Sequence, residues 1–175
     1  WDPADRAAFM RATNTPAVMR WLGGVWPLEE HEAGFARIDS YQRDFGHTLW
    51  LIEERATGAI LGFCGLKRVN SPGAEAIWGM AEIGWRLGES AWGQGIAKEA
   101  AIASLDLAFG RFAYPEVVAI TVAGNKASQG LMHRLGMRRR EDLDYVDPKH
   151  VAAYGPALVW SIAAADWPAA RAAAL

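Results

Sequence analysis

The spacing of apolar and polar positions changes period several times along this chain. Phe35, Ile38 and Tyr41 make one stripe at helical spacing, which predicts a helix over Leu28–Phe45 that ends at Gly46. Upstream, Asp2-Pro3 and Asn14-Thr15-Pro16 are two further helix starts, and the second carries Val18, Met19 and Leu22 as far as Gly23-Gly24. From His47 the pattern turns to strands: residues 48–54 and 59–69 read as a hairpin about Thr57-Gly58, followed by a loop at Asn70-Ser71-Pro72-Gly73. Ile83, Trp85 and Leu87 alternate with smaller or polar residues, and from Ile96 the apolar positions recur at three and four until Gly110. A strand at 117–122, a helix at 125–135 stopped by Gly136, strand-like pieces near 137–143 and 157–162, and a short helix around Asp166-Trp167-Pro168 complete the series. This order predicts an α+β chain with a mixed sheet, and no composition break divides residues 1–175 into more than one domain.

Composition narrows the reading. At 175 residues with 51% hydrophobic content, nine Trp and 22% charged residues, the chain can bury a core of its own. The net charge of -2 gives no general attraction to nucleic acid or to an anionic membrane. No apolar run approaches the roughly 18 residues needed to span a bilayer. Cys64 is the one cysteine and lies in a strand-like apolar run, so it reads as core, and the expected compartment is the reducing cytoplasm. The chain opens on Trp1 rather than Met, which leaves an upstream segment open. No His, Cys or carboxylate set has metal-ligand spacing, so no metal is expected.

The most informative stretch runs from Glu82 to Ala101, where a strand pattern passes through a glycine-rich turn directly into a helix. Gly93 and Gly95 allow positive φ and close approach of a ligand, while the first amides of the following helix point back into the turn. That is a site for an anion such as a pyrophosphate. A Walker loop is excluded because Ile96 and Ala97, not Lys-Ser or Lys-Thr, follow Gly95. The dinucleotide fingerprint is excluded by Lys98, where Gly or Ala is needed. Taken alone, the stretch also fits a turn whose glycines serve packing only.

After the strand at 117–122 comes Asn125-Lys126-Ala127-Ser128 and, at the end of the next helix, Leu135-Gly136-Met137. Together with Trp92-Gly-Gln-Gly-Ile-Ala97, these motifs closely resemble the GNAT superfamily of acetyl-CoA-dependent N-acetyltransferases. Ala81-Glu-Ile-Gly-Trp-Arg-Leu87 with Trp92-Gly-Gln-Gly-Ile-Ala97 is similar to its RimJ/RimL-like branch. The resemblance covers roughly residues 50–137. It implies a mostly antiparallel mixed sheet, flanked by helices, with a central parallel strand pair that splays apart to admit the pantetheine arm.

By the same resemblance, the amides of Trp92, Gly93, Gln94, Gly95, Ile96 and Ala97 hold the pyrophosphate, and Trp85, Arg86 and Leu87 run beside the thioester. Asn125 bonds the pantetheine, Ser128 faces the sulfur, and Glu82 is the candidate base, with a salt-bridged glutamate as the alternative. Ser128 and Asn125 have the simpler reading of helix first-turn and capping residues. Lys98, Lys126, Arg134 and Arg138 to Arg140 are unranked candidates for the adenosine 3′-phosphate or a solvated face. Trp26, Tyr145 and Tyr154 are expected around the acceptor; His31 and His133 read as structural or exposed. The chain departs from the family at Ser90, where Gln or Arg is common, and in having no Tyr after Ser128 in that helix. It also lacks an opening strand before the first helix, which predicts an exposed or differently filled sheet edge.

The implied activity is transfer of the acetyl group of acetyl-CoA to a small-molecule or peptide primary amine by direct attack. A second copy of the chain is a further candidate partner; nucleic acid and membrane are not. The rival is a non-catalytic acyl-CoA-binding regulatory module that keeps the cradle without the base and acid.

Overall fold

The computed structural model describes residues 1–175, and its order of elements is the one the periodicity predicts, with two corrections. Helix α1 (Pro3–Thr13) starts at Asp2, whose carboxylate accepts the Asp5 N–H while the Asp5 side chain accepts the Asp2 N–H. Helix α2 (Leu28–Phe45) buries His31, Phe35, Ile38 and Tyr41 and stops at Gly46 in the left-handed conformation. Strands β1 (Leu49–Glu53), β2 (Ile60–Arg68) and β3 (Ala81–Leu87) follow, then α3 (Ile96–Phe109), β4 (Glu116–Val122) and α4 (Lys126–Arg134). The chain ends with β5 (Arg138–Arg139), a single turn α5 (Val151–Tyr154), β6 (Ala157–Ala163) and α6 (Trp167–Ala174).

The first correction concerns the second predicted helix. Only a 3₁₀ turn, Val18–Trp21, forms, because Gly23 and Gly24 take φ values of 91° and 87° before a second turn can close. The second concerns 137–143, where strand pairing lasts two residues and a 3₁₀ turn, Glu141–Leu143, takes over. There Arg139 binds Asp144, and Arg140 binds Asp142 and Glu116, pulling the chain out of the sheet.

The six strands lie in the order β1-β2-β3-β4-β6-β5. Every neighbouring pair is antiparallel except β3 and β4, which run parallel. The larger apolar cluster, including Leu66, Ile83, Leu105, Val117 and Leu135, lies between the sheet and α3, α4 and α6. Each such fully buried side chain contributes about 1.5–3 kcal/mol over leaving it exposed. A smaller cluster of Phe9, Phe35, Ile38, Leu49 and Phe63 fastens α1 and α2 to the first strands. The open edge at β1 is filled by Trp1: its indole donates to Leu49 O at 2.8 Å and its ring packs on Phe9, Phe35 and Phe63. No helix is long and apolar enough to cross a membrane.

Candidate active site

The parallel pair parts almost as soon as it forms. Cα partners exist only at Ala81–Val117 and Glu82–Val118, whereas β2 accompanies β3 along its whole length. Gly88 N–H donates to Leu61 O, so by the two-residue period the main-chain groups of Ile83, Trp85 and Leu87 face the other way, into the opening. One thread crosses it: the Trp85 indole N–H donates to Ser128 Oγ at 3.3 Å. The Ser128 hydroxyl proton is left to donate elsewhere. Asn125 Oδ1 accepts the Ser128 N–H at 3.2 Å, so Asn125 is the cap of α4 and its amide nitrogen makes no bond within the chain. Capping and a ligand contact are therefore compatible.

At the far end of the opening Gly93 and Gly95 take φ values of 73° and 81°. Gly95 is the cap residue of α3 and no side chain bonds the first amides of that helix. A Cβ at either glycine would meet nothing within 4 Å, so the space over the turn is open. Open space, left-handed glycines and uncapped amides together fit a pyrophosphate. The turn is pinned by the Trp92 indole N–H on Leu87 O at 3.0 Å and by Gln94 Nε2 on Ser90 O at 2.5 Å, which spends the Gln94 amide within the turn.

The side chains of Lys98 and Arg86, both expected at the cofactor, make other contacts. The Lys98 ammonium donates to Ala174 O at 2.7 Å, at the carboxyl end of α6, where a cation is favoured by the helix dipole. Arg86 sits opposite Phe63 of β2, and its side chain lies on the α1/α2 face of the sheet, away from the opening. Arg138 to Arg140 all form ion pairs with acids of this chain.

Under α1 and α2 the sheet lines a cavity of about 650 Å³ that includes Glu82, Trp85, Asn125 and Ser128. Trp26, Tyr145, Tyr154, His150 and His31 line it too. Its roof is held by Tyr154 Oη, which accepts the Gly23 N–H at 3.1 Å, and by Trp21, whose ring lies where a Cβ on Gly124 would be. Glu82 is 6% exposed and pairs with Lys67 Nζ at 2.6 Å, directly across the strands, leaving Oε1 free of donors from the chain. Burial opposes the charge on Lys67, but Glu82 outweighs it and holds the ammonium above its ordinary range. Burial raises the Tyr145 phenol and pushes Cys64, packed in the core, up to about 12. Cys64 is thus no nucleophile.

Lys67, His31 and the side chain of Arg86 escaped the sequence reading as members of this cavity. Nothing local announces them, since α2, β2 and β3 meet only in the folded sheet. No three His, Cys or carboxylate side chains are grouped to hold a metal ion.

Comparison with known proteins agrees with this geometry. A Bacillus subtilis protein, YkkB, is 31% identical over 124 residues, 71% of this chain and 70% of its own. An Agrobacterium tumefaciens acetyltransferase structure superposes with a TM-score of 0.75 at 25% identity, over 93% of this chain and 86% of that one. A ribosomal-protein-alanine N-acetyltransferase from Brucella melitensis shares the fold with a TM-score of 0.70 at 21% identity, over 93% and 96%. The family model of the acetyltransferase (GNAT) domain matches residues 1–138, the span that carries the parted strands, the glycine turn and Asn125-to-Ser128. With sequence, fold and site in agreement over that span, the chain belongs to the GNAT acetyltransferase family and is an acyltransferase.

Proposed function

We propose that this acyltransferase moves the acetyl group of acetyl-CoA to a primary amine by direct attack, without a covalent enzyme intermediate. The observation that carries the reading is the gap between β3 and β4, with the glycine turn following β3 and the Glu82-lined cavity against the strand itself. The amides of Gly95 to Ala97 hold the pyrophosphate, and Asn125 Nδ2 reaches the pantetheine. The Trp85 and Leu87 amides face the position of the thioester carbonyl and polarise it, while the Ser128 hydroxyl donates to the departing sulfur.

Glu82 Oε1 is the proton acceptor, and Lys67 on Oε2 fixes the carboxylate. Neutralising an amine at pH 7 costs about 1.4 kcal/mol for an α-amine with a pKa near 8, against about 4.6 kcal/mol for a lysine near 10.4. A carboxylate already committed to an ammonium suits the easier task, so an α-amine, on a protein N-terminus or a small molecule, is the acceptor class. The strand wording 81–87, which resembles the RimJ/RimL-like branch, supports a protein N-terminus among these acceptors. Acceptor screening with acetyl-CoA tests this: α-amines are turned over ahead of ε-amines, and the reverse order overturns the assignment of Glu82.

A further inference from the structure

Six of this protein's arginines, Arg6, Arg43, Arg138, Arg139, Arg140 and Arg171, have carboxylate partners. Arg86, enclosed at the cavity wall, has none. Its guanidinium lies 4.7 Å from the Trp26 ring centroid, 5.4 Å from Phe63 and 5.8 Å from Phe9. Those rings satisfy the faces of the cation but not its edge, which carries five N–H donors. None of the five is bonded to the chain, and Nε is buried without a partner. Burial alone brings Arg86 down to about 10, still a cation at neutral pH, with no acid of the chain acting on it.

A second orphan stands beside it. His31 of α2 is 3% exposed, lines the same cavity and lies tilted against Trp26, 5.5 Å from that ring. Its Nε2 is buried and has no partner either. Burial and then Arg86 lower its pKa, so it is a neutral imidazole, which donates one hydrogen bond from Nε2 when that nitrogen carries the proton. A buried polar nitrogen without a partner forfeits the hydrogen bonds it had in water; Arg6 Nε, Arg68 Nε and Trp160 Nε1 are three more, but none of those residues lines this cavity. Two such nitrogens on one wall of a substrate cavity mark the place of an acceptor group that the chain does not supply.

We infer that Arg86 and His31 form an anion subsite, so that the amine acceptor carries a carboxylate which lies in the slot under Trp26. One cation with one neutral donor matches a monoanion, and a carboxylate accepts from the guanidinium edge, which the rings leave free. Glu82 and Arg86 share one face of β3 four residues apart, about 13 Å between Cα atoms. The amine end and the carboxylate end of the acceptor are therefore served by opposite ends of the strand. This rests on the proposed function for the location of the amine, but the anion site itself does not.

The test uses pairs of primary amines with one skeleton, one member a carboxylate and the other its carboxamide. With saturating acetyl-CoA, the wild-type protein is expected to favour the carboxylate in kcat/KM by about 10- to 100-fold, the size of a charge-assisted hydrogen bond. R86M keeps the length of the side chain among the rings and removes the donors; the ratio should fall to about one, through KM, with R86K between. A parallel calorimetric titration of both members into the CoA-saturated protein reads the subsite without turnover. If no amine is acetylated yet the carboxylate binds preferentially and R86M loses that preference, the anion site stands and the transfer reading fails. Equal binding of carboxylate and carboxamide by the wild type overturns the subsite, whatever the activity. So does an equal loss on both members in a folded R86M, which would leave Arg86 a packing residue.

Discussion

Replacing Gly95 by Asp places a carboxylate where the pyrophosphate is held. The residue has a φ of 81° and caps α3, and a Cβ there would meet nothing within 4 Å, so the substitution causes no collision. The backbone cost is that of a left-handed L-residue, roughly 1–2 kcal/mol and less for Asp or Asn. The charge term is separate. A unit charge about 4 Å from another contributes about 1 kcal/mol in bulk water and about 4 kcal/mol at an effective dielectric near 20. Gly95 is exposed, so the lower end governs, and two phosphates give about 2–3 kcal/mol, or a complex weaker by about 30- to 150-fold. Gly95→Asn has the same backbone demand without the charge, so the Asp/Asn ratio isolates it. Calorimetric titration with CoA at low salt should show that ratio, narrowing as salt shortens the Debye length toward 8 Å. Equal affinities for the Asp and Asn variants would show that no phosphate lies over this turn.

Ser128→Ala removes the donor proposed for the sulfur, so kcat should fall by about tenfold or more while CoA affinity stays within a few-fold; an unchanged kcat would return Ser128 to a helix first-turn role. Glu82→Gln leaves Lys67 without its counter-ion at a half-buried site, and thermal melting should report a loss of about 2–3 kcal/mol. The double variant Glu82→Gln with Lys67→Met should recover much of that stability but not kcat, and recovery of both would remove Glu82 as the base. Burial lowers His47, which is 0% exposed between Leu66 O and Tyr114 Oη. A lowered folded-state pKa means that the unfolded chain binds the extra proton first. This contribution is therefore complete above the reference pKa near 6.5 and is lost as pH falls through the folded value. Urea melts between pH 7.5 and 5 should show stability falling with acid, less steeply in His47→Asn; His31, lowered in the same direction, leaves a residual slope in that variant.

Local signals carried most of the fold into the sequence. The stripe Phe35-Ile38-Tyr41 and Gly46 mark α2 because capping and amphipathicity act within a few residues, and Asp2-Pro3 marks α1 for the same reason. The glycine turn was legible because positive φ and an uncapped helix start leave a direct trace in residue types. Val18–Trp21 misled because three apolar residues at helical spacing cannot show that the glycines after them stop the helix at one turn. The acceptor wall was hidden for another reason. Arg86 looks like a strand position beside the thioester, and only the pleat shows that it shares a face with Glu82 and meets Trp26, Phe9 and Phe63. His31 likewise reads as one polar residue of an amphipathic helix until α2 is laid on the sheet. Lys98 illustrates the converse: its place next to the turn suggested the phosphate, but a 76-residue contact with Ala174 claims it.

The central claim is transfer of an acetyl group from acetyl-CoA to an amine across the gap between β3 and β4. The purified protein, mixed with acetyl-CoA and a panel of α-amines, ε-amines and short peptides, should release free thiol only in the presence of an acceptor. The acetylated amine should appear in equal amount. Tight binding of acetyl-CoA with no thiol released by any amine, or no binding at all, would contradict it.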